Sequence, residues 1–110
     1  MKKFIVIYHA PAEAVAQMAS ATPEQKAEGM KPWFAWKESV GDKLVDFGAP
    51  LMGGTRLLPD GSTEMSKKEV TGYSILQAGN IEEAKSLLSN HPHLAWTGGC
   101  DIEVHECVEM

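Results

Sequence analysis

An unbroken apolar run, Phe4-Ile5-Val6-Ile7-Tyr8, stands almost at the start of the chain. A strand with one wet face alternates apolar and polar residues, whereas a continuous run of β-branched and aromatic residues marks a strand covered on both faces. The run therefore predicts a central strand. Neighbouring strands must flank it, and each face of the sheet needs a cover. His9-Ala10-Pro11 ends it, because proline cannot donate to a sheet ladder.

Residues 12–21 are Ala-rich without a strong cap, which fits a mobile loop or a short helix. Thr22-Pro23-Glu24-Gln25 is a better helix start: Thr22 caps, Pro23 suits the first turn, and Gln25 completes a capping box. Met30, Trp33, Phe34, Trp36, Val40 and Leu44 follow near helical spacing. Gly29 and Pro32 interrupt them and predict a kink or two shorter helices. Gly41-Asp42 closes this element.

Residues 43–48 read as a second strand, with a bulge or pause at 49–54. Residues 55–58 continue it to a turn at Pro59-Asp60-Gly61-Ser62. Residues 70–78 form a third strand, and Ser66-Lys67-Lys68-Glu69 is a solvated flank before it. Asn80 and Glu83 cap a second helix with an apolar stripe of Ile81, Ala84, Leu87 and Leu88, stopped by Pro92. After Gly98-Gly99, residues 100–107 alternate as the last strand.

The order β-α-β-β-α-β is the split βαβ plan, an α+β, ferredoxin-like fold. It predicts an antiparallel sheet of order 4-1-3-2 with both helices on one face. The other face then carries Tyr73 and Ile75 from strand three and Glu103 and His105 from strand four. A second copy laid over that face, as a symmetric homodimer, is the natural cover.

Composition narrows the function. The chain has 110 residues, 44% of them apolar. That suits a single domain over 1–110 with a core needing no metal or disulfide. Fifteen acidic and ten basic residues leave a net charge of −5, which argues against a phosphate-binding nucleic-acid surface. No segment approaches the ~20 apolar residues of a membrane span. The N-terminal apolar run is too short for a secretory signal core. Cys100 and Cys107 lie about 23 Å apart along one extended strand, too far to pair. Two free thiols suit a reducing, cytoplasmic setting.

The topology collects polar residues at one sheet edge. Strand one ends there with Tyr8 and His9, and strand four begins there with Cys100 and Asp101. The loop after the second helix brings His91 and His93. A histidine oriented by a carboxylate can move a proton to or from a bound small molecule. His9 or His93 with Asp101 is the easier pairing, since Asp46 starts strand two at the opposite edge. Tyr8, Trp33, Trp36 and His91 are candidates for the wall of a substrate pocket. The alternative reading makes the same residues structural: His91 and His93 finish the helix against its dipole, and Trp33 and Trp36 pack on the sheet. His9, His93, Cys100 and Asp101 are permissible metal ligands, a second reading of the edge; but His91-x-His93 is no recognised zinc spacing and Cys100 and Asp101 point to opposite faces, so no metal or other cofactor is expected. Gly48-Ala49-Pro50-Leu51-Met52-Gly53-Gly54 lacks the Lys-Ser/Thr ending of a phosphate loop. Cys100 lacks the electropositive setting of a reactive thiolate.

Leu44-Val45-Asp46-Phe47-Gly48-Ala49-Pro50-Leu51, Thr71-Gly72-Tyr73-Ser74-Ile75-Leu76-Gln77-Ala78, Ile81-Glu82-Glu83-Ala84, His91-Pro92-His93-Leu94 and Ile102-Glu103-Val104-His105-Glu106 carry a resemblance. Over nearly its whole length the chain resembles the YCII-related family of the dimeric α+β barrel superfamily. That resemblance implies a two-sheet dimeric barrel with a small-molecule site. In some members a His–Asp pair has been proposed, its histidine on the first helix. Here Met30-Lys31-Pro32-Trp33-Phe34 contains no histidine, and Glu69-Val70-Thr71-Gly72 stands where another branch has Asp-Gly-Pro-Phe. The pair is therefore not carried over. The superfamily analogy implies cofactor-free acid–base chemistry on a small molecule, of isomerase or lactone-processing type. A non-catalytic dimeric module, binding a metabolite or assisting a larger enzyme, is the alternative.

Overall fold

A computed structural model describes residues 1–67, 69–96 and 98–110. Its elements are β1 (Lys2–His9), α1 (Ala12–Ala19), α2 (Pro23–Val40), β2 (Leu44–Pro50), β3 (Thr55–Leu57), β4 (Thr63–Met65), β5 (Val70–Ala78), α3 (Ile81–Leu88) and β6 (Asp101–Glu106). Short 3-10 turns at Gly41–Lys43 and Pro92–Ala95 follow α2 and α3. The main sheet runs β2-β5-β1-β6 with every pairing antiparallel, an α+β, ferredoxin-like arrangement. β3 and β4 form a separate two-stranded ribbon.

The core lies between one sheet face and the helices. Val6 and Tyr8 of β1 and Leu76 of β5 meet Trp36 and Val40 of α2 and Leu88 of α3. Phe4, Ala78 and Ala84 extend it along α3. The opposite face behaves differently from the expectation for β1. Phe4, Val6 and Tyr8 are buried, but Ile5 and Ile7 are only half-buried. Their cross-strand partners Ile75 and Tyr73 are half-buried too. One copy of the chain covers one face of its central strand and leaves an apolar strip open on the other.

Three further differences have local causes. α2 is one continuous helix of 18 residues with Pro32 inside it. Pro32 is exposed, so the carbonyl its ring orphans one turn earlier, that of exposed Glu28, can meet water. The capping box at Thr22 and Gln25 starts the helix as the sequence predicts. Residues 12–19 are helical. Residues 55–57 do not prolong β2; they fold back through the 59–62 turn onto Thr63–Met65, a strand the sequence reading lacked. Gly53, with φ +66°, redirects the chain between β2 and β3. The last strand is one residue shorter at each end than expected.

Candidate functional site

The pleat of the sheet divides the edge cluster into two groups on opposite faces. In β1 the residues facing the helices are Phe4, Val6 and Tyr8, so His9 turns to the open face. In β6 Ile102 and Val104 pack on the core, so Asp101, Glu103 and His105 turn to the open face. His9 and Asp101 are direct cross-strand partners. His9 Nδ1 lies 2.9 Å from Asp101 Oδ1. A carboxylate only accepts, so Nδ1 carries the proton; in the neutral ring Nε2 is then the acceptor. Nε2 has no hydrogen-bond partner among the described residues. The His9 side chain is 18% exposed and that of Asp101 69%, so the pair is open to solvent on its carboxylate side.

A second pair shares this face. His105 Nε2 lies 3.0 Å from Glu103 Oε2, with both side chains exposed. Asp46 is also there, but far from His9. It sits opposite Ile75, whereas His9 sits opposite Val70, five steps or about 17 Å along β5. Asp46 accepts the Gly48 N–H at 2.8 Å and the Tyr73 hydroxyl at 3.4 Å, a structural task.

Tyr8, Trp33, Trp36, His91 and His93 lie on the helix side. Tyr8 is 2% exposed. Ser74 Oγ donates to the Phe47 carbonyl at 2.7 Å, so the Tyr8 hydroxyl, 2.8 Å away, donates to Ser74. Burial pushes the Tyr8 hydroxyl up to about 12, against the opposing pull of the Ser74 bond. Trp36 Nε1 donates to the Leu87 carbonyl at 2.9 Å and ties α2 to α3. Trp33 is half-buried, edge-on to Tyr8 at 5.1 Å between ring centroids.

His91 and His93 do not finish α3, which ends at Leu88. They belong to the next 3-10 turn, where His91 Nδ1 accepts the His93 backbone N–H at 2.9 Å. The His91 proton therefore sits on Nε2, which is buried without a hydrogen-bond partner among the described residues. The rings of Trp36, Trp33 and Tyr8 surround it at 4.4, 4.5 and 4.9 Å. Burial, followed by the neighbouring His93, lowers its pKa from 6.5 to about 3, so the ring is neutral at physiological pH. His93 Nε2 donates to the backbone carbonyl of His9 at 2.7 Å. Tyr8, Trp36, His91 and His93 thus form core, and a pocket wall or proton donor made from them is closed to a ligand in this conformation. Sequence reasoning did not pick out Ser74, the hinge of the Tyr8 hydrogen-bond chain. A lone hydroxyl on the buried phase of an apolar strand was the available signal.

Two clefts lie elsewhere. One, about 420 Å³, is lined by α2 and β2, including Lys37, Asp46 and Phe47. The other, about 240 Å³, lies among Met18, Lys26 and Trp96. Neither contains His9 or Asp101. Among the described residues no three His, Cys, Asp or Glu side chains are placed to hold a metal ion. No helix of the described residues is long and apolar enough to cross a membrane.

No family model matches the chain, and no curated protein matches it. Among solved structures it is similar to the 5-chloro-2-hydroxyhydroquinone dehydrochlorinase TftG from Burkholderia phenoliruptrix AC1100, in complex with 2,5-dihydroxybenzoquinone. The similarity covers 94% of this chain and 91% of that one, at a TM-score of 0.50 and 18% identity. It shows a shared fold.

Proposed function

We propose that this chain is a YCII-like, homodimeric α+β barrel enzyme of the cytoplasm that performs cofactor-free acid–base chemistry on a small molecule. The observation that carries the reading is the 2.9 Å contact between His9 Nδ1 and Asp101 Oδ1. Asp101 orients the ring and stabilises its charged form, while Nε2 takes a proton from an acidified C–H of the substrate. The imidazolium then returns that proton to another atom, which is isomerisation, or a leaving group departs from the carbanion. The neighbour's name fits this class, since loss of hydrogen chloride from a ring compound includes removal of a proton. His93 is a positioning residue, its Nε2–H holding the His9 backbone carbonyl from the other side of the sheet.

One observation favours the non-catalytic reading. A cleft of about 420 Å³ lies remote from His9, between α2 and β2, where Lys37 lies 5.3 Å over the Phe47 ring. A metabolite held there would depend on Phe47 and be indifferent to His9.

The discriminating experiment uses the full chain with two probes, 5-chloro-2-hydroxyhydroquinone and a simple γ-lactone. Chloride release and solvent-deuterium uptake are followed for the wild type, His9→Gln and Asp101→Asn. The acid–base reading expects turnover of a probe that falls at least tenfold in both folded variants. Turnover that ignores both substitutions refutes the His9–Asp101 assignment, and binding of a probe with no turnover favours the binding module.

A further inference from the structure

We propose that the β3–β4 hairpin is an arm that seats on the open sheet face of a second copy of this chain and walls the His9–Asp101 site in trans. Its chemical purpose rests on the acid–base reading; its geometry does not.

The arm is well made locally. Leu58 N–H donates to Ser62 O and Gly61 N–H to Leu58 O, both at 2.9 Å. Asp60 accepts the Ser62 N–H and hydroxyl at 2.9 and 2.6 Å. Its pairing makes it two-faced. Thr55 opposes Met65 and Leu57 opposes Thr63, so these four share one face. Arg56 and Glu64 share the other, joined at 2.6 Å. Leu57 is 76% exposed and Met65 80%. A two-stranded ribbon alone is marginal in water, and among the described elements this one packs appreciably only on itself. Its apolar face needs a surface.

The open sheet face is such a surface. Ile5, Ile7, Tyr73 and Ile75 make an uncharged strip that matches the uncharged underside of the arm. The arm is rooted at the edge that carries His9. Pro50 and His9 are paired with Gly72 and Val70 at the start of β5, and Ala10 N–H donates to Glu69 O at 3.1 Å.

Area favours a second copy as the occupant. Four strands of about seven residues present a flat face of roughly 450 Å². A stable interface takes about 800 Å² from each partner. Each exchanged arm adds its own apolar face, where Leu57 and Met65 are 76% and 80% exposed, to the surface the two copies can bury. The radius of gyration, 15.2 Å, exceeds the roughly 13 Å of a compact chain this long, as a projecting arm requires. In one copy the pair is open on its carboxylate side, where the Asp101 side chain is 69% exposed.

The test needs no substrate. A nitroxide is attached through Glu64→Cys, in a Cys100→Ser, Cys107→Ser background, on the arm's outer face. This spin-labelled chain, at natural isotopic abundance, is mixed with ¹⁵N-labelled chain of natural sequence, and sedimentation equilibrium is run alongside. The proposal expects dimers at micromolar concentration. It also expects at least twofold loss of intensity at the amides of Ile5, Ile7 and Ile75 of the ¹⁵N chain. Both effects should vanish in Leu57→Lys/Met65→Lys at unchanged circular dichroism. Monomers, a dimer without broadening on that strip, or broadening that survives the double lysine variant would overturn it. Broadening without proton-transfer activity would refute only the acid–base reading.

Discussion

His93, on the helix side of the sheet, donates its Nε2 proton at 2.7 Å to the backbone carbonyl of His9, whose own ring lies on the open side. The two histidines are thus coupled through the strand, one as a clamp and one as the partner of Asp101. The bond is at the last residue of β1, where pairing with β5 shifts register between Tyr8 and His9. A carbonyl at such an irregularity needs a partner from outside the ladder.

Replacing His93 should therefore loosen the His9 end of β1. His93→Phe keeps the ring volume but removes the donor. We expect a loss of about 1–3 kcal/mol in urea unfolding. His93→Gln, which retains an amide donor, should recover part of it. The His9 amide should also lose protection from hydrogen exchange in the Phe variant. Equal stability of both variants with wild type would show that the clamp contributes nothing.

His91 predicts an acid limb. Its folded pKa of about 3 lies below the ordinary 6.5, so the unfolded chain binds the extra proton between those values. Its stabilising contribution is complete above pH 6.5 and is lost as pH falls towards 3, at up to ~1.4 kcal/mol per pH unit. Unfolding free energy measured from pH 7 to 5 should fall in the wild type. The fall should be shallower in His91→Gln over the same range, before the carboxylates titrate. Parallel curves would mean that His91 is accessible to protons in the folded chain.

Gly48 is a steric prediction. Its φ is +82°, and a Cβ there would stand 1.8 Å from the Tyr73 carbonyl oxygen. Both faults fall on the backbone, which has no flexible end to move aside. Gly48→Ala should cost several kcal/mol, on the order of the largest single-residue effects, or prevent folding. Gly53→Ala, with a left-handed φ but nothing within 4 Å, should cost about 1 kcal/mol. Equal midpoints of thermal unfolding for the two variants would contradict the β2–β5 geometry.

Sequence patterning reached the fold through elements whose polarity has a phase. Residues 101–106 alternate, and so the buried side of β6 can be read from Ile102 and Val104. Thr22 and Gln25 announce α2 because the capping box is a local device. The apolar run of β1 has no polar phase. The edge carrying His9, His91, His93 and Asp101 could therefore be inferred, but not the side of the sheet taken by each ring. Local pattern could not reveal the β3–β4 ribbon either. Leu57 and Met65 face no part of a core, so the burial signal that betrays a strand is absent. Pro32 predicts a break by its own chemistry. Trp33, Trp36 and Val40, anchored on the sheet side, carry the helix past it.

Asp101 holds the His9 proton on Nδ1 and leaves Nε2 as the acceptor. The ring-nitrogen ¹⁵N shifts of His9, recorded at a pH where the ring is neutral, test it directly. The account predicts a single Nδ1–H tautomer in the wild type, and a tautomeric mixture in Asp101→Asn at unchanged fold. A wild-type ring that is already a mixture, or one unchanged by the substitution, would contradict it.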